Sequence, residues 1–176
     1  MKKSLLLIAG ILVLISCNNQ KPTPRKPIMS STELSVKSNG EKICVPFRRT
    51  PSGLAEVQVS LNGVPFNMWW DTGASVTSIS ALEFVKLRKE GVISNRDYVQ
   101  TITTSIADGS QVSEDVYLIR ELYLKGEGDK YLVIYNVHAA VSESLTAPLL
   151  IGQNVIQELP QHTFNEQNSV IEFNTY

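Results

Sequence analysis

Between residues 43 and 173 apolar residues recur at every second position in short runs cut by turn formers, a pattern only a β-rich domain accommodates. Candidate strands cover 43–48, 55–61, 65–70, 77–80, 98–106, 111–119, 131–138 and 169–173. In one of them Val57, Val59 and Leu61 alternate with Gln58 and Ser60, Asn62-Gly63 makes a tight turn, and Val64-Pro65-Phe66 returns. Asn-Gly suits that turn because both central residues need positive φ. Helical spacing is clear over 81–89, where Leu82, Val85 and Leu87 are interleaved with charged residues and Gly91 supplies a stop. A shorter helix is expected over 153–159, ahead of Pro160. Many short strands with frequent turns predict one all-β domain, a closed barrel or a sandwich, with one or two short helices.

The two ends of the chain differ from this middle. Lys2 and Lys3 precede an apolar stretch over 5–15 that is too short to span a bilayer as a helix. Leu14-Ile15-Ser16-Cys17 then looks like the lipobox of bacterial lipoproteins, in which the signal peptide (here 1–16) is removed and the Cys is lipidated. By that resemblance Cys17 carries the lipid, and more than one acyl chain makes a stable membrane anchor. Asn18 follows it, so the Asp-type inner-membrane retention signal is missing, and by resemblance to enterobacterial sorting the periplasmic face of the outer membrane is the expected location. Residues 17–40, rich in Asn, Lys, Pro, Thr and Ser, are expected to be the lipidated Cys and a flexible tether, with the folded domain over 41–176. Cys44 is then the one remaining thiol, so no intrachain disulfide forms. Between Ile43 and Val45 it is expected to act as a buried apolar residue. Stability must come from the core, which 43% hydrophobic residues can supply.

Composition removes several function classes. Sixteen Lys and Arg against 17 Asp and Glu leave a net charge of −1, and no basic patch argues for nucleic acid. The two histidines, His138 and His162, sit in no ligand or triad motif, no Cys/His cluster has metal-ligand spacing, and no glycine-rich phosphate loop occurs. Neither a metal nor another cofactor is expected. The charged loop over 125–130 is expected to be a solvated turn between two strands.

One carboxylate stands out. Met68-Trp69-Trp70 runs as an apolar strand into Asp71-Thr72-Gly73-Ala74-Ser75. A carboxylate at such a strand end is costly to bury unless backbone N–H groups hydrogen-bond to it. Gly73 has no Cβ to obstruct that approach, and Thr72 places a hydroxyl beside it. An acid held in this way suits acid–base chemistry at the floor of a cleft.

This run resembles the active-site turn of aspartic peptidases, hydrophobic-hydrophobic-Asp-Thr-Gly-Ala/Ser. Three further features match the retropepsin-like (retroviral-type) branch over about residues 43–173. Leu150-Ile151-Gly152 repeats the apolar run into Gly without an Asp, as the second half of such a protomer does. The β-branched run 101–112, with Asp108-Gly109 as a two-residue turn, falls where the family places its flap. Ala107, Asp108 and Gly109 would form the flap tip, though they depart from the Gly-rich retroviral one. The hairpin over 57–66 delivers the chain to Asp71 as the family's entry hairpin does. The resemblance implies a retropepsin-like acid-protease barrel protomer with a flap hairpin.

It also implies a mechanism. Two carboxylates share one proton, one activating water and the other hydrogen-bonding the scissile carbonyl. A chain with a single Asp-Thr-Gly must take its second carboxylate from the Asp71 of another copy, so the resemblance implies a homodimer. Thr72 would bond across the two-fold axis, Gly73 would hold the carboxylate through its backbone, and Ala74 and Ser75 would support the turn. Ala74 resembles the retroviral form, in which no hydroxyl stabilises the charged acid, and this implies activity nearer neutral than strongly acid pH. The substrate would be an extended peptide or protein segment. The competing expectations are a catalytically silent lipoprotein that keeps the cleft to bind peptides, and a structural lipoprotein whose β-domain only contacts partners.

Overall fold

In the computed structural model, which describes residues 32–38, 40–105 and 109–175, the Asn62-Gly63 hairpin is where the sheet begins. β3 (Ala55–Leu61) and β4 (Val64–Trp70) pair antiparallel from Ala55↔Trp70 to Leu61↔Val64. Asn62 and Gly63 take φ of 49° and 85°, the left-handed geometry that the turn demands. The Asn62 side chain also ties down the hairpin tip. Its Oδ1 accepts from the Glu121 N–H at 3.0 Å, and its Nδ2 donates to the Val92 carbonyl at 3.0 Å.

The protein is all-β with two short helices. β2 (Ile43–Arg49) lies on one side of β3, and β11 (Val170–Phe173) and β10 (His162–Asn165) extend the sheet beyond it. On the other side of β4 come β9 (Leu150–Ile151), β5 (Thr77–Ser80), β8 (Tyr131–Ser142), β7 (Gln111–Lys125) and β6 (Tyr98–Ser105). The far end of β3, from Val59 to Leu61, pairs with Leu122–Leu124 of β7 and closes the sheet on itself. Alternation decides what lies inside: Ile43, Val45, Val57, Val59, Leu61, Met68 and Trp70 all point into one core with Leu122, Leu124, Leu132 and Ile134.

β8 changes face along its length. Leu132 and Ile134 point inward before Asn136, and Val137 and Ala139 after it. Asn136 itself takes φ 58°, and this local kink turns the second half of the strand. As a result His138 and Ala140 face the cleft described below.

The helix α1 (Ala81–Lys89) starts at Ser80, whose Oγ accepts from the N–H groups of Leu82 and Glu83 at 3.1 and 3.4 Å. Lys86, Arg88 and Lys89 stand in its last turn, where cations favour the helix dipole. Of the three apolar positions that mark it in the sequence, only Leu87 is buried. Leu82 is 57% exposed and Val85 also faces solvent, while Leu87 is buried and Phe84 stacks on Tyr117 with centroids 4.5 Å apart. An apolar i, i+3 pair reports only a stripe, and Phe84–Leu87 forms an equally good one. The second helix, α2 (Gln153–Ile156), is shorter than the 153–159 expected, because Glu158 and Leu159 continue in turn geometry.

Several expectations are corrected. The tether does not extend to residue 40: β1 (Glu33–Lys37) pairs antiparallel with Tyr131–Tyr135 of β8. Leu34 packs against the core, and the Lys37 ammonium sits 2.8 Å from the Asp129 carboxylate. That hydrogen bond holds Asp129 below the usual carboxylate range, so the pair's contribution is present at neutral pH and lost as pH falls through the depressed Asp129 value. Both groups are exposed, which keeps the effect small.

Cys44 is half-buried, since Ile43 and Val45 take the inward positions of β2. Burial, then the nearby Glu127 and Glu172, push its thiol pKa up, away from reactivity. The 125–130 loop is more than solvated turn: the Glu127 N–H donates to the Cys44 carbonyl at 3.1 Å, and a Cβ on Gly126 would meet Ile43 at 2.6 Å. β10 was not expected at all; its short His-Thr-Phe-Asn run carries little alternation. The signal peptide, Cys17 and the tether through residue 31 lie outside the described residues, as do Ala107 and Asp108.

Candidate active site

β4 and β5 are consecutive in the chain but not neighbours in the sheet, because β9 lies between them. The segment 71–76 therefore has to cross over the end of β9. β9 runs parallel to β4, with Trp69↔Leu150 and Trp70↔Ile151 paired. The Trp69 N–H donates to the Leu149 carbonyl at 2.8 Å and the Asp71 N–H to the Ile151 carbonyl at 3.1 Å. Asp71 is thus the last residue of the ladder, and its side chain emerges where the chain leaves the sheet.

The crossing segment is clamped from below by 152–154. Gln153 N–H donates to the Ala74 carbonyl at 2.8 Å, its Nε2 to the Thr72 carbonyl at 3.0 Å, and Asn154 N–H to the Ser75 carbonyl at 3.2 Å. Gly152 N–H donates to Thr77 Oγ1 at 3.1 Å. Gly152 also lies hard against the segment, since a Cβ there would fall 2.4 Å from the Val76 carbonyl carbon. Leu150, Ile151 and Gly152, which the resemblance singled out, lie directly against the Asp71 turn.

Within the turn, Ala74 N–H donates to the Asp71 carbonyl at 3.3 Å, and Gly73 N–H donates to Asp71 Oδ1 at 2.8 Å. Gly73 thus holds the carboxylate through its backbone as the sequence implies. Asp71 Oδ2 accepts no hydrogen bond among the described residues. Contrary to expectation the carboxylate is not buried: Asp71 is half-exposed and Thr72, Gly73 and Ser75 are exposed, with Ala74 between. Behind it Trp70 is buried, its indole edge-on to the rings of His162 at 5.0 Å and Phe164 at 6.0 Å. This aromatic wall uses β10, and so gives the unexpected strand a role in supporting the turn.

Asn154 and Thr77 are the support residues that sequence reading missed. Asn154 is 6% exposed; its Oδ1 accepts from Thr77 N–H at 2.7 Å and Thr77 Oγ1 at 3.0 Å, and its Nδ2 donates to the His138 carbonyl at 2.8 Å. The one available signal was a polar residue two places after Gly152, in a helix too short to show periodicity. Asn154→Ala strands two donors and a carbonyl in the interior, so unfolding in urea is expected to show a loss of about 3 kcal/mol. Thr77→Ser keeps both donors and should lose only about 1 kcal/mol.

A cleft of about 590 Å³ opens beside the turn, bounded by Gly73, Ala74 and Ser75 on one side and the β6–β7 hairpin on the other. One row of residues crosses five strands along its wall: Gln100↔Val116, Val116↔Ala140, Ala140↔Ser78 and Ser78↔Leu150. Partners in register point to the same face, which makes this wall continuous. The hairpin is paired through Ser105↔Gln111, and Asp108 of the expected turn lies outside the described residues. Of the expected tip, Gly109 is described and takes φ 85°. Among the described residues no group of three His, Cys, Asp or Glu side chains could hold a metal ion.

A family model described as gag-polyprotein putative aspartyl protease matches residues 57–158, from the entry hairpin through α2. Among solved structures, a retropepsin-like aspartic protease from Rickettsia conorii is similar, at 14% identity and a TM-score of 0.48, covering 81% of this chain and 94% of its own. No curated protein matches in sequence.

Proposed function

This chain belongs to the gag-polyprotein aspartyl protease family, and on that premise we propose that it is an aspartic endopeptidase that works as a homodimer. The observation that carries the reading is the Asp71 turn. Its carboxylate is held at one oxygen by Gly73 N–H, bears a second oxygen without a partner among the described residues, and stands beside a cleft roofed by a hairpin. The half-exposure of Asp71 and the exposure of Thr72 and Gly73 support a second copy completing the floor.

In such a dimer the two Asp71 carboxylates face each other and share one proton. The ionised one takes a proton from water as the water oxygen attacks the scissile carbonyl. The protonated one hydrogen-bonds the carbonyl oxygen and stabilises its developing charge. Collapse of the tetrahedral species breaks the C–N bond, and the amine leaves with a proton from the dyad. An extended substrate fits between the hairpin and the cleft wall by adding a strand to free edges.

The proposal includes the envelope. Cys17, at the end of the apolar leader, is the lipid attachment point, and the peptidase is tethered at the periplasmic face of the outer membrane. Two copies on one membrane have a raised effective concentration, so a weak dimer suffices there.

The test is to incubate the full-length protein with a diverse peptide mixture between pH 4 and 8 and read the products by mass spectrometry. Cuts that depend on Asp71 and increase faster than linearly with protein concentration support the dimeric peptidase. Peptides retained uncut by a dimeric protein would replace it with a silent peptide-binding module.

A further inference from the structure

The cleft wall carries a charge that the peptidase chemistry does not use. Glu114 on β7 pairs with Ile102 on β6, two residues nearer the hairpin tip than the Gln100↔Val116 pair, and on the same face. Among the described residues lining the cleft it is the one carboxylate, and none of them is Lys or Arg. Around it the wall is mostly small or apolar, with Ile102, Val116 and Ala140 nearby in register. Thr104 Oγ1 donates to Glu114 Oε2 at 2.8 Å, which orients the carboxylate and leaves Oε1 without a partner among the described residues.

Two features distinguish this group from an ordinary surface acid. Two other carboxylates on the sheet pair with cations, Glu172 with Lys42 and Glu56 with Arg48. Glu114 has no such partner among the described residues, although it is half-buried. On the opposite face of the same hairpin, Asp115 accepts from Thr101 Oγ1 at 2.7 Å but looks outward to solvent. A half-buried carboxylate without a cation, in a cleft shaped for an extended chain, offers an incoming cation a strong and directional contact.

We propose that Glu114 is a specificity-determining residue that selects substrate segments carrying Lys or Arg at the position lying beneath the β6–β7 hairpin. This rests on the peptidase reading and deepens it by naming the class of substrate. Extended strands present alternate side chains to one face, so a single substrate position meets Glu114 while its neighbours meet the apolar wall. The selected sequence is therefore one basic residue flanked, at alternate positions, by small or apolar ones.

The experiment uses two readouts on the full-length protein with one peptide mixture. Cuts made by the wild type should show Lys or Arg enriched about tenfold at one fixed position near the scissile bond. Glu114→Gln should abolish the enrichment, Glu114→Asp should retain it, and Glu114→Lys should invert it toward Asp and Glu. In the second readout, peptides captured by the Asp71→Asn protein should show the same basic enrichment, lost in the Asp71→Asn, Glu114→Gln double variant. Cuts or captured peptides without a charge preference, or with one that Glu114→Gln leaves in place, overturn the inference. Captured basic peptides with no cutting by the wild type would sustain the inference and sink the peptidase reading. Neither cutting nor capture would sink both.

Discussion

Asp71→Asn is expected to lower peptide cleavage at least about a thousandfold while leaving the fold intact. The substitution keeps the size of the side chain and an oxygen that can accept from Gly73 N–H, the one side-chain hydrogen bond Asp71 makes among the described residues. It removes the ability to take up a proton from water, and with it the general base. Since Asp71 is half-exposed and ends its ladder through backbone atoms, the unfolding free energy measured in urea should stay within about 0.5 kcal/mol of wild type. Dimerisation adds a second signature. Mixing wild type with a roughly ninefold excess of the Asn variant should cut activity about tenfold if subunits pair at random, because nearly every wild-type chain then faces a defective partner. Activity that falls only by dilution would place both carboxylates in one chain and refute the shared dyad. Cleavage that survives in the variant itself would remove Asp71 from the chemistry.

Gly152→Ala should produce the largest loss of stability of any single methyl addition in the site. The added carbon would stand 2.4 Å from the Val76 carbonyl carbon, 2.6 Å from its oxygen and 2.7 Å from the Thr77 nitrogen. These are backbone atoms within a clamped segment, so no rotamer change relieves the clash. Overpacking of this kind costs about 3 kcal/mol, or a fall of about 10 °C in Tm for a domain of this size. The displaced segment is the one that carries Asp71, and a shift of about 1 Å there should lower activity about a hundredfold even where the protein remains folded. Gly73→Ala is the informative contrast. Its Cβ would meet only Asp71 Oδ1, at 3.2 Å, and that atom sits on a side chain able to give way. A Gly152→Ala protein as stable as Gly73→Ala would mean that the crossing segment is not tightly seated on 152–154.

Most of the sheet was legible because its signal is local. Period-two alternation marked β2, β3 and β4 to within a residue or so, and Asn62-Gly63 set their register through its own φ preference. β1, β9 and β10 left no such mark, having five, two and four residues and only partly buried faces. The buried face of α1 was not legible, because Leu82–Val85 and Phe84–Leu87 have the same spacing. Which pair is buried depends on the position of Tyr117, 33 residues on in the chain.

The candidate site divides in the same way. Asp71, Thr72, Gly73 and the Leu150-Ile151-Gly152 run could be picked out from the chain alone, since an acid after an apolar strand and a glycine after another are unusual enough to stand out. That the two runs lie one above the other, with 152–154 clamping 72–77, is a long-range fact set by β9 entering the sheet between β4 and β5. Asn154, Thr77 and Glu114 acquire roles only there. A buried amide and a carboxylate inside a cleft look, in sequence, like any polar residue of a helix or strand, and burial is decided by segments distant in the chain. The sequence by itself determined where the acid is and which residues around it must be small. The tertiary structure decided what holds that acid in place and what charge faces an incoming chain, because both depend on contacts between strands that alternation cannot order.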